Sequence, residues 1–455
     1  MSYIKITLKR FLLLVLIGLT TLPGVVARAQ NGAAPIIIRD TEIESDFKEW
    51  IAPLLKAAGL GTESVNLILV QSPQINAFVA GGSNIFIYTG LIDRSENPDE
   101  IIGVLAHELG HIAGGHLVGT RAALERASYE SILGMVLGVG AAIATGNSAA
   151  ANAIIAGTGS MAQGKFLAHS RVNESSADQA ALRFLESAQI NPVGLSTFLE
   201  KLESEELMPA SQQSEYVRTH PLTRDRIDAL ETKINQSASK GKPLPARWIE
   251  QHARMKAKLA GFINPSRVPW IYDDRDDSIP ARYARAISAY RQNETAKALK
   301  EIDGLIALEP ENAYFQELKG QMLVDFGRVQ EGIPYYEKAV KLLPDAGLIR
   351  IDLAHALLEG QPGSEQKAIE HLDRALRAEP RSTVAHRFLA TAYGRTGQET
   401  LAKLHLAEEA VLQRKLPYAK RQAEAVLAEA AKDSREWIQA RDILGQIELL
   451  EQGEE

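Results

Sequence analysis

The sequence predicts a mainly α protein in two parts: an α+β domain over residues 36–237 and an all-α array over residues 276–455. Three observations predict it. Residues 36–237 mix period-2 strand patterns with period-3.6 helix patterns, whereas residues 276–455 read as almost continuous helix. The helical zone repeats itself at a period near 34 residues. Between the zones lies a Pro-, Gly- and Lys-rich passage, residues 238–275, read as a linker with a helix. A chain of 455 residues is also too long for one core, given domains of roughly 100–200 residues.

At the N-terminus, Lys5, Lys9 and Arg10 precede the apolar run Phe11 to Leu19, and Ala27-Arg28-Ala29 places small residues two apart. These are the three regions of a secretory signal peptide, residues 1–29, cleaved after Ala29. Cleavage removes Lys5, Lys9, Arg10 and Arg28 and no acid, so the formal charge of −7 becomes −11. That balance argues against nucleic acid as a partner, since phosphate backbones are bound through Lys and Arg. The chain has no cysteine, so it has neither a disulfide nor a lipid-attachment thiol.

The stretch NPDEIIGVLAHELGHIAG predicts a helix. Asn97 is the N-cap, Pro98 stands at N1, and Asp99 and Glu100 lie beside the positive end of the dipole. His107 and His111 are four apart, so both imidazoles leave one face and can hold one Zn²⁺. Glu108 sits between them as a general base for the attacking water. A catalytic zinc needs a third protein ligand and an open position. His116 is the nearest candidate, but the HExxHxxGxxH pattern would place that ligand at 117, which is Leu. A continued helix would turn His116 about 140° away from the shared face. His116 therefore reads as a non-ligand beyond a Gly-Gly break. HSRVNESSADQAALRFL supplies a better third ligand. Glu174 and Asp178 are four apart on a second helix, Glu174 placed to reach the metal and Asp178 to accept the remaining N–H of a ligand histidine.

Between those helices, SILGMVLGVGAAIATGNSAAANAIIAG has a first apolar arm, Ile132 to Ala144, only thirteen residues long. Crossing a bilayer takes about 20 residues, so 131–160 reads as a small-residue helical hairpin with possible peripheral membrane contact. In the helical zone, Ala339 and Ala375 are each followed five residues later by Pro344 and Pro380, and LIALEP ends at Pro310. Gly320, Gly327 and Ala339 correspond to Ala390, Gly397 and Ala410 in another unit. Small residues admit close helix pairs, Gly breaks between helices and Pro ends them, a pattern that resembles the tetratricopeptide repeat. Four units are counted, the last (Pro417 to Leu450) degenerate as a cap. The turn GQPGSEQ, Gly360 to Gln366, is two residues longer than the others.

HELGH followed by a helix carrying ExxxD resembles the gluzincin metallopeptidases of the HtpX and BepA type. The resemblance extends to NAFVAGGSNIFIYTGLI, Asn76 to Ile92, and to HPLTRDRI, His220 to Ile227. It implies a gluzincin-type α+β metallopeptidase domain with a small sheet, followed by an all-α tetratricopeptide-repeat solenoid. It implies one Zn²⁺ per chain on His107, His111 and Glu174, with Glu108 as base. The strand through Ile85 and Ile87, entered from Asn76 and Gly82, is expected at the cleft edge, pairing with substrate backbone. His220 is expected either to donate to the oxyanion or to occupy the open zinc position as a latch. Arg226, with Arg224 as a weaker candidate, is expected to orient that loop or the substrate. The BepA-like branch further implies a periplasmic protein acting on unfolded or stalled outer-membrane proteins, with the β-barrel assembly machinery contacted through the repeats. Two other readings remain open: a chaperone or scaffold with latent proteolysis, and a membrane-embedded HtpX-like protease.

Overall fold

A computed structural model describes residues 36–116, 171–206, 208–209 and 212–452. The expected signal peptide and the apolar arms at 131–160 lie outside the described residues. Strand β1 (Ile36–Ile38) leads to helix α1 (Thr41–Ala57), whose N-cap Asp40 accepts from the Ile43 N–H. Strands β2 (Asn66–Gln71), β3 (Ala77–Ala80) and β4 (Asn84–Tyr88) complete a four-stranded sheet in the order β1-β2-β4-β3. Gly81 and Gly82, at φ +59° and +97°, turn the β3–β4 hairpin through a conformation that L side chains resist.

This order corrects the expectation for β4. It pairs parallel with β2 and antiparallel with β3, so it lies inside the sheet, and Ile85 and Ile87 are fully buried core residues. Alternating hydrophobicity reports which face of a strand is covered. Its place in the sheet is set by non-local pairing, which the pattern does not encode. The open edge on that side is β3.

Helices α2 (Thr89–Arg94) and α3 (Pro98–Ala113) follow, then α4 (helical over 171–187), α5 (Val193–Glu206), α6 (Glu215–Thr219) and α7 (Arg224–Gln236). The side chain of Asn97 caps α3 by accepting from Glu100 N–H, and Ile101, Ile102, Leu105 and Leu109 drive it into the core. Two glycines set how closely α3 is approached. A Cβ at Gly103 would meet Leu195 N at 2.7 Å, and one at Gly110 would meet Ala177 O at 2.6 Å.

The helix within the expected linker is α8 (Ala246–Ile263), packed on two sides. Met255 and Leu259 enter the first domain's core, and Trp248 and Gln251 both donate to Glu49 at 2.9 Å. On its other side Gly261 abuts Ile287. Buried Lys258 lies 2.7 Å from Asp40 and 3.1 Å from Glu42, and Glu42 also accepts from the Tyr283 hydroxyl at 2.9 Å. Lys258 thus fastens the start of α1 to α8, and Glu42 carries the link on to Tyr283 of the array.

After a short helix α9 (Val268–Ile271), five helix pairs follow among the described residues. They are α10 (Ile279–Arg291) with α11 (Thr295–Leu308), α12 (Ala313–Asp325) with α13 (Val329–Leu342), and α14 (Gly347–Gly360) with α15 (Glu365–Ala378). The last are α16 (Thr383–Arg395) with α17 (Glu399–Leu412), and α18 (Leu416–Glu429) with α19 (Arg435–Gln452). The count of four is therefore one short. Each pair turns through a positive-φ residue, but in the first and last it is Asn293 and Asp433 rather than Gly327, Gly363 or Gly397. Asn and Asp tolerate this conformation, so the turn forms without the glycine signature. No helix among the described residues is long and apolar enough to cross a membrane.

At the same junction Asp46 is 5% exposed, and burial, with Glu42 nearby, pushes its carboxyl up to about 8. The folded chain then holds a proton that the unfolded chain, with a pKa of about 3.9, has released, so this group costs stability as pH rises between those values. Asp46→Asn is expected to raise Tm progressively from pH 5 to pH 8 relative to the wild type. Thermal melts showing no such pH-dependent difference would contradict the assignment.

Candidate metal centre

Helix α3 carries His107, Glu108 and His111 in its last two turns. Helix α4 crosses it at Gly110, bringing Glu174 and Asp178 over the same face. His107 Nε2 lies 3.1 Å from His111 Nε2, 3.3 Å from Glu174 Oε2 and 3.4 Å from His220 Nδ1. His111 Nε2 is 3.4 Å from Glu174 Oε1, and His220 Nδ1 is 3.2 Å from Glu174 Oε2. His107, His111, Glu174 and His220 thus form one group able to hold a metal ion, with ligand atoms all within 4.8 Å of one another. Four ligand atoms about 2.0–2.1 Å from one tetrahedral zinc would stand about 3.3 Å apart. The five separations above stand close to that spacing, and the donors suit that chemistry.

Around this group each histidine ligand candidate is held from behind. His107 Nδ1 lies 2.9 Å from Asp178 Oδ1, and His111 Nδ1 lies 3.0 Å from His116 Nδ1. His116 is outside the donor group and meets the remote nitrogen of His111. Gly114 permits that fold-back: a Cβ there would fall 2.3 Å from the His116 ring. Asp178 is itself gripped by Arg226, whose Nε donates to Oδ2 at 2.6 Å and whose second terminal nitrogen donates to Oδ1 at 3.0 Å. Arg226 also lies 3.0 Å from Glu174 and donates to the Pro221 carbonyl at 2.8 Å.

The electrostatics favour a cation. Burial would raise the Glu174 carboxyl, but His220, His107 and His111 hold it far below its ordinary value. Asp178 is likewise lowered against burial by His107 and Arg226. His107 is driven down by burial, yet Asp178 and Glu174 outweigh that and lift it to about 10, whereas burial takes His111 down to about 4. In the metal-free chain a proton on His107 therefore compensates carboxylates that a cation would otherwise balance. Glu108 is raised by burial. Its two carboxylate oxygens and His220 Nε2 have no hydrogen-bond partner among the described residues, and His220 Nε2 stands 3.5 Å from Glu108 Oε1. Buried polar atoms left unpaired are costly, and here they cluster beside the donor group.

Of the sequence-predicted residues, the structure brings together His107, Glu108, His111, Glu174, Asp178 and His220. The expected substrate contacts are corrected. Arg226 is buried under the donor group, with its guanidinium on Asp178, Glu174 and the Pro221 carbonyl. Ile85 and Ile87 are core. Gly82 lies in the exposed hairpin turn, and Asn76 is buried, donating to Glu215 at 3.3 Å. Arg224 is surface-exposed opposite Glu203. Sequence reasoning missed Tyr216, whose ring centroid lies 4.7 Å from that of His220. Its place four residues before His220 was the only available signal.

The sheet, the crossed helices and the buried histidine-carboxylate group define a metalloprotease. Residues 39–234 match the profile of peptidase family M48, and residues 283–347 match that of the tetratricopeptide repeat. Residues 39–234 are thus similar to a family M48 peptidase domain and residues 283–347 to tetratricopeptide repeats, and that peptidase family implies a metal. It is 26% identical over 358 residues to the beta-barrel assembly-enhancing protease of Escherichia coli (strain K12), covering 76% of this chain and 71% of that one. The protein of the same name from Yersinia pestis is 26% identical over 77% of this chain and 72% of its own. Metalloprotease YcaL of Escherichia coli (strain K12) is 28% identical over 42% of this chain and 71% of its own.

Arg226→Met leaves two buried carboxylates without their cation and is expected to destabilise the chain by about 3–5 kcal/mol. Urea unfolding of metal-free protein checks this; a loss under about 1 kcal/mol would show that the pair is dispensable.

Proposed function

We propose that this chain is a zinc-dependent endopeptidase of the bacterial periplasm, acting in the quality control and assembly of outer-membrane β-barrel proteins. The observation that carries the chemistry is the convergence of donor atoms from His107, His111, Glu174 and His220 within 4.8 Å of one another, with the unpaired Glu108 carboxylate beside them. Site and partners have different supports. The metal chemistry rests on the donor geometry. Outer-membrane clients, the β-barrel assembly machinery as a contact of the repeats, and the periplasm rest on the relatives' name and on the signal-peptide pattern of residues 1–29.

In this reading His107 Nε2, His111 Nε2 and Glu174 hold the zinc. Asp178 fixes the proton of His107 on Nδ1, as His116 does for His111, so both Nε2 lone pairs face the ion. When bound, the ion supplies Lewis acidity toward a carbonyl oxygen and acidity to water. Glu108 accepts the proton of the water that adds to the scissile carbonyl carbon and passes it to the departing nitrogen as the C–N bond breaks. Its burial-raised pKa suits both halves of that transfer. The substrate backbone pairs with β3. Tyr88 N–H donates to Asn76 O, so alternation turns the N–H and C=O groups of Ala77 and Val79 away from β4; Ala77 is buried there, and the half-buried Val79 begins the part of the edge a strand can reach.

His220 Nδ1 stands at the fourth corner of the donor group, the position a catalytic site must keep open. This favours the latch over the oxyanion donor: His220 closes the site at rest and leaves when substrate enters. It also accommodates the scaffold reading, in which the repeats hold clients while proteolysis stays latent.

Glu108→Gln is expected to retain about one zinc per chain and to lose casein-type proteolysis by at least about 100-fold. Cleavage at the wild-type rate would overturn the mechanism. His220→Ala is expected to cleave faster than wild type; a slower variant would instead support a required oxyanion donor.

A further inference from the structure

We infer that Tyr216 is a positioning residue that seats the His220 latch over the donor group and ties that seat to the open edge strand. The inference rests on the latch reading and adds what holds the latch. Tyr216 is completely buried, and its ring lies 4.7 Å from the His220 ring at an interplanar angle of 32°, with Phe198 edge-on behind it at 5.3 Å. Its carbonyl accepts from His220 N–H at 2.7 Å, so ring and backbone hold the same histidine. Its own N–H donates to Ile75 O at 3.1 Å, immediately before β3. The neighbouring Glu215 accepts from the Asn76 side chain at 3.3 Å. The five-residue helix that ends in the latch is therefore fastened to the root of the edge on which substrate pairs.

The hydroxyl sharpens the assignment. It is buried and has no hydrogen-bond partner among the described residues. Phenylalanine would offer the same ring without that desolvation cost, so the seat is made by the ring, and removing only the hydroxyl should leave it standing. Burial also raises the phenol far above its ordinary value, with Glu108 adding to the effect, so the group stays neutral beside His220. A strand added at β3 competes for the geometry of Ile75 and Asn76, and the shift reaches His220 through one residue.

The test compares Tyr216→Leu and Tyr216→Phe, each in the wild-type and His220→Ala backgrounds, for cleavage of a quenched-fluorescent peptide and for the rate at which a chelator strips zinc. Tyr216→Leu is expected to raise cleavage and zinc release about 2- to 10-fold, the shift that loss of one aromatic contact supports. Tyr216→Phe is expected to stay within about twofold of wild type, since it keeps the ring. In the His220→Ala background Tyr216→Leu should add nothing. If Tyr216→Leu leaves both rates unchanged or lowers them while His220→Ala raises cleavage, the seat is wrong and the latch stands. If Tyr216→Leu acts equally in both backgrounds, Tyr216 does not work through His220 and the inference falls. If His220→Ala fails to raise cleavage, the latch reading itself fails, and the seat with it.

Discussion

The separation of two helices governs everything else in the peptidase domain. Glu174 comes within 3.4 Å of both His107 and His111 only because α4 lies directly on α3 at Gly110, where even a methyl group would collide with the Ala177 carbonyl. A methyl group there would push α4, and Glu174 with it, outward by roughly 1 Å, more than the few tenths of an ångström that metal–ligand distances tolerate, and four donors would no longer share one centre. The glycine inside HELGH is thus a packing requirement of the site, imposed by a residue 67 positions away in the chain.

Contact that close buries charge, and the charge is compensated in layers. One carboxylate, Glu174, belongs to the donor group and a second, Asp178, stands behind it, and Arg226 answers both while pinning the Pro221 carbonyl. The same guanidinium therefore fixes the acid behind His107 and the loop that carries His220. Farther out, Lys258 repeats the device at lower density: one buried cation, two carboxylates and a tyrosine hydroxyl join peptidase to repeats. Pairs of this kind contribute little net stability against a hydrophobic replacement, but losing one partner is severe. Their value lies in orientation, which a metal site and an interdomain joint both demand.

What the sequence made legible divides along a physical line. His107, Glu108, His111, Glu174 and Asp178 were readable because helical periodicity is local: four residues apart means one face, whatever the rest of the chain does. The repeats were readable for the same reason, and the miscount came at the first pair, where Asn293 supplies a turn geometry that glycine usually announces. Sheet order was not readable. Ile85 and Ile87 alternate as an edge strand would, yet the pairing of β4 with both β2 and β3 is a property of distant segments. Arg226 failed similarly. Its sequence position beside the HP motif left open whether it orients the loop or the substrate, and only tertiary packing turns it inward onto Asp178.

Two histidines lie beside the donor pair without carrying the motif, and on the proposed reading their difference is a matter of which nitrogen they face and what holds them. His116 meets the remote Nδ1 of His111, lies five residues from it, and is folded back by Gly114 into a place that chain connectivity preserves. Its contact survives any change at the open side of the metal. His220 faces the donor atoms themselves, from the end of a five-residue helix placed by tertiary contacts: the Tyr216 ring and carbonyl, the Tyr216 N–H on Ile75, the Asn76–Glu215 bond, the Ser214 cap and the Arg226 grip on the next carbonyl. A helix that short has little intrinsic stability and takes its position from tertiary contacts. A group held by a handful of contacts can be displaced by a substrate strand that forms more of them, whereas one held by the fold cannot. The motif's second half and the distant HP loop therefore serve opposite ends: one histidine makes a ligand permanent, and the other makes a ligand position exchangeable.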